Sequence, residues 1–242
     1  MKILGIETAT ANCSAAIIKN NKVLIERSID SPQMHSEKLI SLIDGCFSGA
    51  LSELQALDGI AVSIGPGSFT GLRIGLSVAK GLAYSSGKPL MGIPTLEALA
   101  WSVVYKEIIK EEGIILPLLD ARRDEVYFAA YRYNGGEMEK IIPFRVGTVK
   151  DVSIQVPQGS PVYALGDGAE KFFKYLQDKE FNKLSSYIIP NPEMRVCNAV
   201  SVALEGEKKL LRGENENIVA LEPMYVKDFY TIIKTQHQKE TA

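Results

Sequence analysis

The sequence predicts an α/β protein of two similar lobes, each a mixed sheet flanked by helices. Three observations predict it. A short apolar run ends in an acid at Glu7 and again at Asp120. A hairpin pattern follows each of these runs, and alternating helix and strand patterns follow each hairpin. The pattern recurs without residue identity. A boundary near residue 105 separates lobes of 1–105 and 106–242, with the last helix free to pack back on the first lobe.

The elements follow in order. Ile3 to Ile6 reads as a buried strand, and Ser14 to Lys19 and Val23 to Ile29 flank Asn20-Asn21-Lys22, which is hairpin turn chemistry. From Ser36 to Leu51 the period changes. Leu39, Leu42, Ile43, Cys46, Phe47 and Ala50 fall three and four apart, as on one face of an amphipathic helix. Gly59 to Ile64 is a strand, Thr70 to Ser85 a helix, Leu90 to Ile93 a strand, and Thr95 to Lys110 a helix with Gly113 as its stop signal. The second half reads as a strand at Ile114 to Leu119, then a hairpin of Val126 to Tyr133 and Met138 to Arg145 across Asn134-Gly135-Gly136. After a polar stretch come a strand at Val162 to Leu165, the turn Gly166-Asp167-Gly168 and a helix at Ala169 to Leu176. A strand at Tyr187 to Ile189 and a helix from Met194 to Leu211 close the pattern; beyond Thr235 a polar tail is expected to be disordered.

Composition narrows the function. The 242 residues are 46% hydrophobic and 23% charged, enough apolar material for a core of this size. With 27 basic and 29 acidic residues the net charge is −2, so nothing draws the whole surface to nucleic acid. Cys13, Cys46 and Cys197 are scattered, with no CxxC pair, which fits a reducing compartment and small buried side chains better than a disulfide framework or a zinc site. No stretch approaches the roughly 18 apolar residues of a membrane span, and the short N-terminal run is broken by Glu7. The expected location is the cytoplasm, away from membranes.

The densest motif is Gly65-Pro66-Gly67-Ser68-Phe69-Thr70-Gly71, between a strand and a helix. Glycines permit positive φ and close approach, and the helix N-terminus offers N–H groups to an anion. Thr8, Gly65, Gly67 and Ser68, with Glu7, are therefore candidates for a nucleotide phosphate site; a tight structural turn is the other reading. The motif is neither a Walker loop nor GxGxxG. On the following helix Gly71, Gly75 and Ala79 stand four apart, widened by Leu72, Leu76 and Ala83. That small-residue face admits a second backbone, either the chain's own sheet or another subunit.

These residues resemble a known family. Ile3-Leu4-Gly5-Ile6-Glu7-Thr8, His35-Ser36-Glu37-Lys38-Leu39 and the glycine motif through Gly75 look like the TsaB family, formerly YeaZ. Pro94 to Ala100, Asp120 to Tyr127 and Pro223-Met224-Tyr225 fit too, although Lys227 stands where the family often has an Arg. The resemblance implies the actin/Hsp70-like ATPase fold, built of two ribonuclease H-like lobes. It also implies a part in making threonylcarbamoyladenosine beside the anticodon of tRNAs that read codons starting with A. The implied partners are the metalloprotein TsaD, the small ATPase TsaE through the complex, a second copy of the chain, and tRNA indirectly.

TsaD-like paralogues carry two histidines four apart after the glycine helix; Thr95 and Leu99 stand there in this chain, and its histidines are only His35 and His237. The resemblance therefore implies a scaffold or activator without independent catalysis. Its expected partner interface comprises His35, Leu39, Leu42, Ile43, Cys46, Phe69, Gly71, Leu72, Gly75, Leu76, Ala79 and Leu82, with Gly75→Leu expected to break docking and spare the fold. The rival is a nucleotide-dependent ATPase or transferase that places Glu7, Gly65 to Gly71 and Gly166 to Gly168 around ATP, and weak or interfacial ATP or ADP fits either case. Asp120 and Asp124 read as metal–nucleotide ligands or as caps, and Arg122 and Arg123 as partners of their neighbouring acids or of tRNA.

Overall fold

A computed structural model describes residues 1–30, 34–47, 52–109, 112–157, 159–178, 187–191 and 196–226. The first lobe contains β1 (Lys2–Glu7), β2 (Asn12–Lys19), β3 (Lys22–Asp30), α1 (His35–Cys46), α2 (Ser52–Gln55), β4 (Gly59–Gly65), α3 (Phe69–Ser86), β5 (Leu90–Pro94) and α4 (Thr95–Tyr105). Its sheet runs β3-β2-β1-β4-β5. The hairpin side is antiparallel, and β1, β4 and β5 are mutually parallel. The second half supplies β6 (Gly113–Asp120), β7 (Glu125–Tyr133), β8 (Met138–Thr148), α5 (Val149–Gln155), β9 (Val162–Leu165), α6 (Gly168–Asp178), β10 (Tyr187–Ile188) and α7 (Ala199–Leu211). Its sheet, β8-β7-β6-β9-β10, repeats the order and directions of the first. These are the two ribonuclease H-like lobes of the actin/Hsp70-like fold.

The first sheet is covered on both faces, so β1 has no polar face: Ile3, Leu4 and Ile6 are all fully buried. One cover is α7, which comes from the second half of the sequence and packs on β1, β2 and β4. It approaches at glycine distance. A Cβ on Gly5 would lie 2.2 Å from the Ala199 carbonyl oxygen, and one on Gly206 2.4 Å from Ala61 Cβ. After α7 the chain returns across the first lobe: Glu216 N–H donates to the Leu90 carbonyl at 2.8 Å and Met224 N–H to that of Ile64 at 2.6 Å.

Several boundaries differ from expectation for local reasons. α1 stops at Cys46, where Phe47 N–H bonds back to the Asp44 carbonyl; Ala50 lies outside the described residues. α4 ends early because Glu107 takes a φ of 54°, turning Ile108 N–H back onto Val103. α7 starts at Ala199, since the Asn198 side chain caps it by accepting from Ser201 N–H; Met194 lies outside the described residues. So do Lys227, His237 and the tail after Thr235. α5 was not expected. Thr148 and Asp151 form a reciprocal capping box that starts it. Among the described residues, no helix is long and apolar enough to cross a membrane.

Candidate functional site

The turn after β1 is clamped from inside. Glu7 is fully buried, and its Oε1 accepts hydrogen bonds from Ala9 N–H at 2.7 Å and Thr10 N–H at 3.0 Å. The Cys197 thiol donates to Oε2 at 3.6 Å. Loss of solvent raises the Glu7 carboxyl above its ordinary 4.5, against the opposing pull of hydrogen bonds from Ser63, Thr10, Ala9 and Cys197. The buried His35 closes the turn on another side, its Nε2–H donating to the Ala11 carbonyl at 3.2 Å.

The glycine motif receives this turn. Its glycines are sites of close approach by the chain's own backbone. A Cβ on Gly67 would lie 2.3 Å from the Ala9 carbonyl oxygen, one on Gly71 2.0 Å from that of Thr8, and one on Gly75 2.1 Å from Thr8 Oγ1. Gly65, at φ 115°, meets the Met224 carbonyl oxygen at 2.6 Å by the same measure. Three N–H donors of the motif are also engaged: Gly65 N–H bonds to Thr95 Oγ1, Ser68 N–H to the Ala9 carbonyl, and Gly71 N–H to Ser68 Oγ, the cap of α3. At Gly65, Gly67 and Ser68 the chain's own residues thus take space or donors that a phosphate would use, and Glu7 is fully buried. Gly166 shows the same feature in the second lobe, where a Cβ would lie 2.0 Å from the Leu118 carbonyl oxygen.

Between the lobes lies a cavity of about 620 Å³. Its lining includes the carboxylates of Glu26, Asp30, Asp167 and Glu170 and one ammonium, Lys106. That balance opposes a nucleotide's phosphates. Asp120 faces the turn beside it, accepting from Lys171 Nζ at 2.7 Å.

The helical face also differs from expectation. His35, Leu39, Ile43 and Cys46 of α1 are buried, as are Gly71, Leu72, Gly75, Leu76 and Ala79 of α3. For these residues the structure selects close packing on the chain's own sheet, so Gly75→Leu strikes the fold itself. Leu42, Phe69 and Leu82 remain partly open. Beside them runs an apolar row that the small-residue pattern concealed: Ile74, Val78 and Leu82 on α3, partly buried and one position away from the glycine row. Ile40 on α1 is 56% exposed and Tyr84 on α3 is 82% exposed. At the start of α3 the Arg73 guanidinium lies 3.8 Å from the Phe69 ring centre and its Nε–H donates to Tyr225 Oη at 3.1 Å, tying the returning segment to the helix.

Comparison with known proteins adds to this geometry. The family model for TsaD, tRNA N6-adenosine threonylcarbamoyltransferase, matches residues 29–222. The tRNA threonylcarbamoyladenosine biosynthesis protein TsaB of Bacillus subtilis is 30% identical over 179 residues, covering 74% of this chain and 76% of that protein. The protein of the same name from Haemophilus influenzae is 26% identical over 240 residues, covering 96% of this chain and 95% of its own. The chain belongs to the TsaB (YeaZ) family. YeaZ from Pseudomonas aeruginosa shares the fold, with a TM-score of 0.74 at 24% identity over 93% of this chain and 99% of that one.

In this TsaB-family chain Thr95 and Leu99, where the resemblance led to the expectation of a lost histidine pair, do not suit a metal. Thr95 and Leu99 are fully buried. The Thr95 hydroxyl is engaged by Gly65 N–H, and its carbonyl accepts from the Cys197 thiol at 3.8 Å. The cysteines offer no ready nucleophile. Burial pushes the Cys13 and Cys46 thiols up to about 11 and raises Cys197 well above the ordinary range.

Proposed function

We propose that this chain is a non-catalytic subunit that binds a TsaD-like metalloenzyme and so supports threonylcarbamoyl transfer to the adenosine beside the anticodon of tRNAs that read codons starting with A. The large apolar side chains left exposed on α1 and α3 carry the reading. A side chain as large as Tyr84 held 82% exposed, with Ile40 at 56%, gives a partner a ready anchor. Ile74, Val78 and Leu82 lie along a flank of α3 and pack partly on the core, Tyr84 stands on its outer side, and two helices from each side make a four-helix packing. In this reading the glycine motif shapes the platform from below without entering the interface.

The names of the curated relatives support the pathway, and the filled glycine turn supports a role without nucleotide chemistry of its own. TsaE joins through TsaD, and the same face pairs two copies when the chain is alone. The reading is tested in a cell whose own TsaB has been removed. The chain, expressed with its cognate TsaD, restores threonylcarbamoyladenosine to hydrolysed tRNA; absence of the nucleoside despite both proteins being present contradicts the proposal.

A further inference from the structure

The turn between β6 and β7 holds a conformation that its residues disfavour. Arg122 and Arg123 have φ of 70° and 52°, a region where a side chain crowds its own backbone. Two such residues in succession persist only where their surroundings hold them. Arg122 N–H donates to Asp120 Oδ1 at 2.6 Å, Ala121 N–H to the Glu125 carbonyl at 3.1 Å, and Glu125 N–H to the Arg122 carbonyl at 3.2 Å. Lys171, from α6, threads the turn from beneath. Its Nζ donates to Asp120 Oδ1 at 2.7 Å, to the Arg123 carbonyl at 2.6 Å and to the Glu125 carbonyl at 3.3 Å.

The two guanidinium groups take no part in this scaffold. Both arginines are exposed, and among the described residues neither forms an ion pair, although Asp120, Asp124 and Glu125 are within three positions. One of these acids, Asp120, is held by Lys171 at 2.7 Å. The turn is therefore held in its backbone while both guanidinium groups, though flanked by Asp124 and Glu125, stay out of ion pairs among the described residues, a combination that lowers the ordering cost of gripping an anion. Guanidinium forks match phosphate oxygens in pairs.

We infer that the Arg122–Arg123 turn contacts phosphate groups of the tRNA backbone within the assembled complex. The inference rests on the proposed function above and goes beyond it, because tRNA then touches this chain directly. The turn is on the second lobe, whereas the helices proposed to dock TsaD belong to the first. The net charge of −2 excludes a grip by the whole surface and leaves a two-point contact unaffected.

The test titrates an unmodified tRNA transcript, one that reads a codon starting with A, onto the full chain saturated with its TsaD over a series of salt concentrations. The Arg122→Asn/Arg123→Asn variant removes both charges with a residue that tolerates positive φ. We expect its tRNA affinity to fall about tenfold and the slope of log K against log salt to shrink by about 1.4 to 1.8. Co-elution with TsaD and the thermal midpoint are expected to stay as in the wild type. Arg122→Lys/Arg123→Lys restores most of the slope, which separates charge from folding. An unchanged slope in the Asn variant, or a wild-type complex whose tRNA binding ignores salt, overturns the inference. So does loss of TsaD co-elution at an unchanged tRNA slope, which would place the arginines against a protein. Failure of the underlying reading appears elsewhere, as a chain that cannot restore the modified nucleoside in cells.

Discussion

Thr8 Oγ1 donates a hydrogen bond to the Gly71 carbonyl at 2.8 Å, and the same oxygen stands 2.1 Å from where a Cβ on Gly75 would lie. The two residues of this bond are 63 positions apart in sequence. Together they set how closely α3 seats on the end of β1. The glycine motif thus serves a contact internal to the first lobe.

This contact predicts a coupled pair. Gly75→Ala forces Thr8 Oγ1 aside and costs about 2 kcal/mol, while Gly75→Leu costs about 3 kcal/mol or more. Thr8→Ala removes the obstructing oxygen, so Thr8→Ala/Gly75→Ala is less destabilised than the sum of the single changes by about 1 kcal/mol. Urea unfolding of the four proteins measures the cycle; strict additivity contradicts the contact.

The raised Glu7 carboxyl predicts a pH dependence with a defined sign. Below its ordinary value of 4.5 the residue is protonated in both the folded and unfolded chain, and its contribution is complete. As pH rises the unfolded chain releases the proton first, so this contribution is lost through the raised folded value. Glu7→Gln removes the titration. The thermal midpoint of the wild type should fall relative to that of Glu7→Gln as pH climbs from 4.5; parallel curves contradict the assignment.

The thiols predict a chemical pattern. All three cysteines are buried, with Cys13 and Cys46 pushed up to about 11. A thiol reagent at pH 8 should label the native chain slowly and modify all three positions once the chain is denatured. Rapid labelling of Cys197 in the native chain contradicts its place beside Glu7.

Much of the fold was legible because hydrophobic period and turn chemistry are local. The acids at Glu7 and Asp120 close equivalent strands, and the hairpins after them fall as expected. The candidate site was less legible. Gly65, Gly67, Gly71 and Gly75 announce close approach in the sequence, but their occupants, Met224, Ala9 and Thr8, come from distant segments. The same pattern serves a bound phosphate or a carbonyl of the chain itself. On α3, Gly71 and Ile74 differ by three positions, yet one row faces the sheet and the other remains partly open; only packing separates them. The capping box at Thr148 and Asp151 was a local signal that could have revealed α5.

The most direct test of the docking face is titration calorimetry of the full chain with its cognate TsaD, comparing the wild type with Ile40→Asp/Tyr84→Asp. Both side chains are mostly exposed, so the thermal midpoint should stay within the range of ordinary surface changes. The account predicts at least about a hundredfold loss of affinity, about 2.8 kcal/mol. Wild-type affinity in the double variant would contradict it.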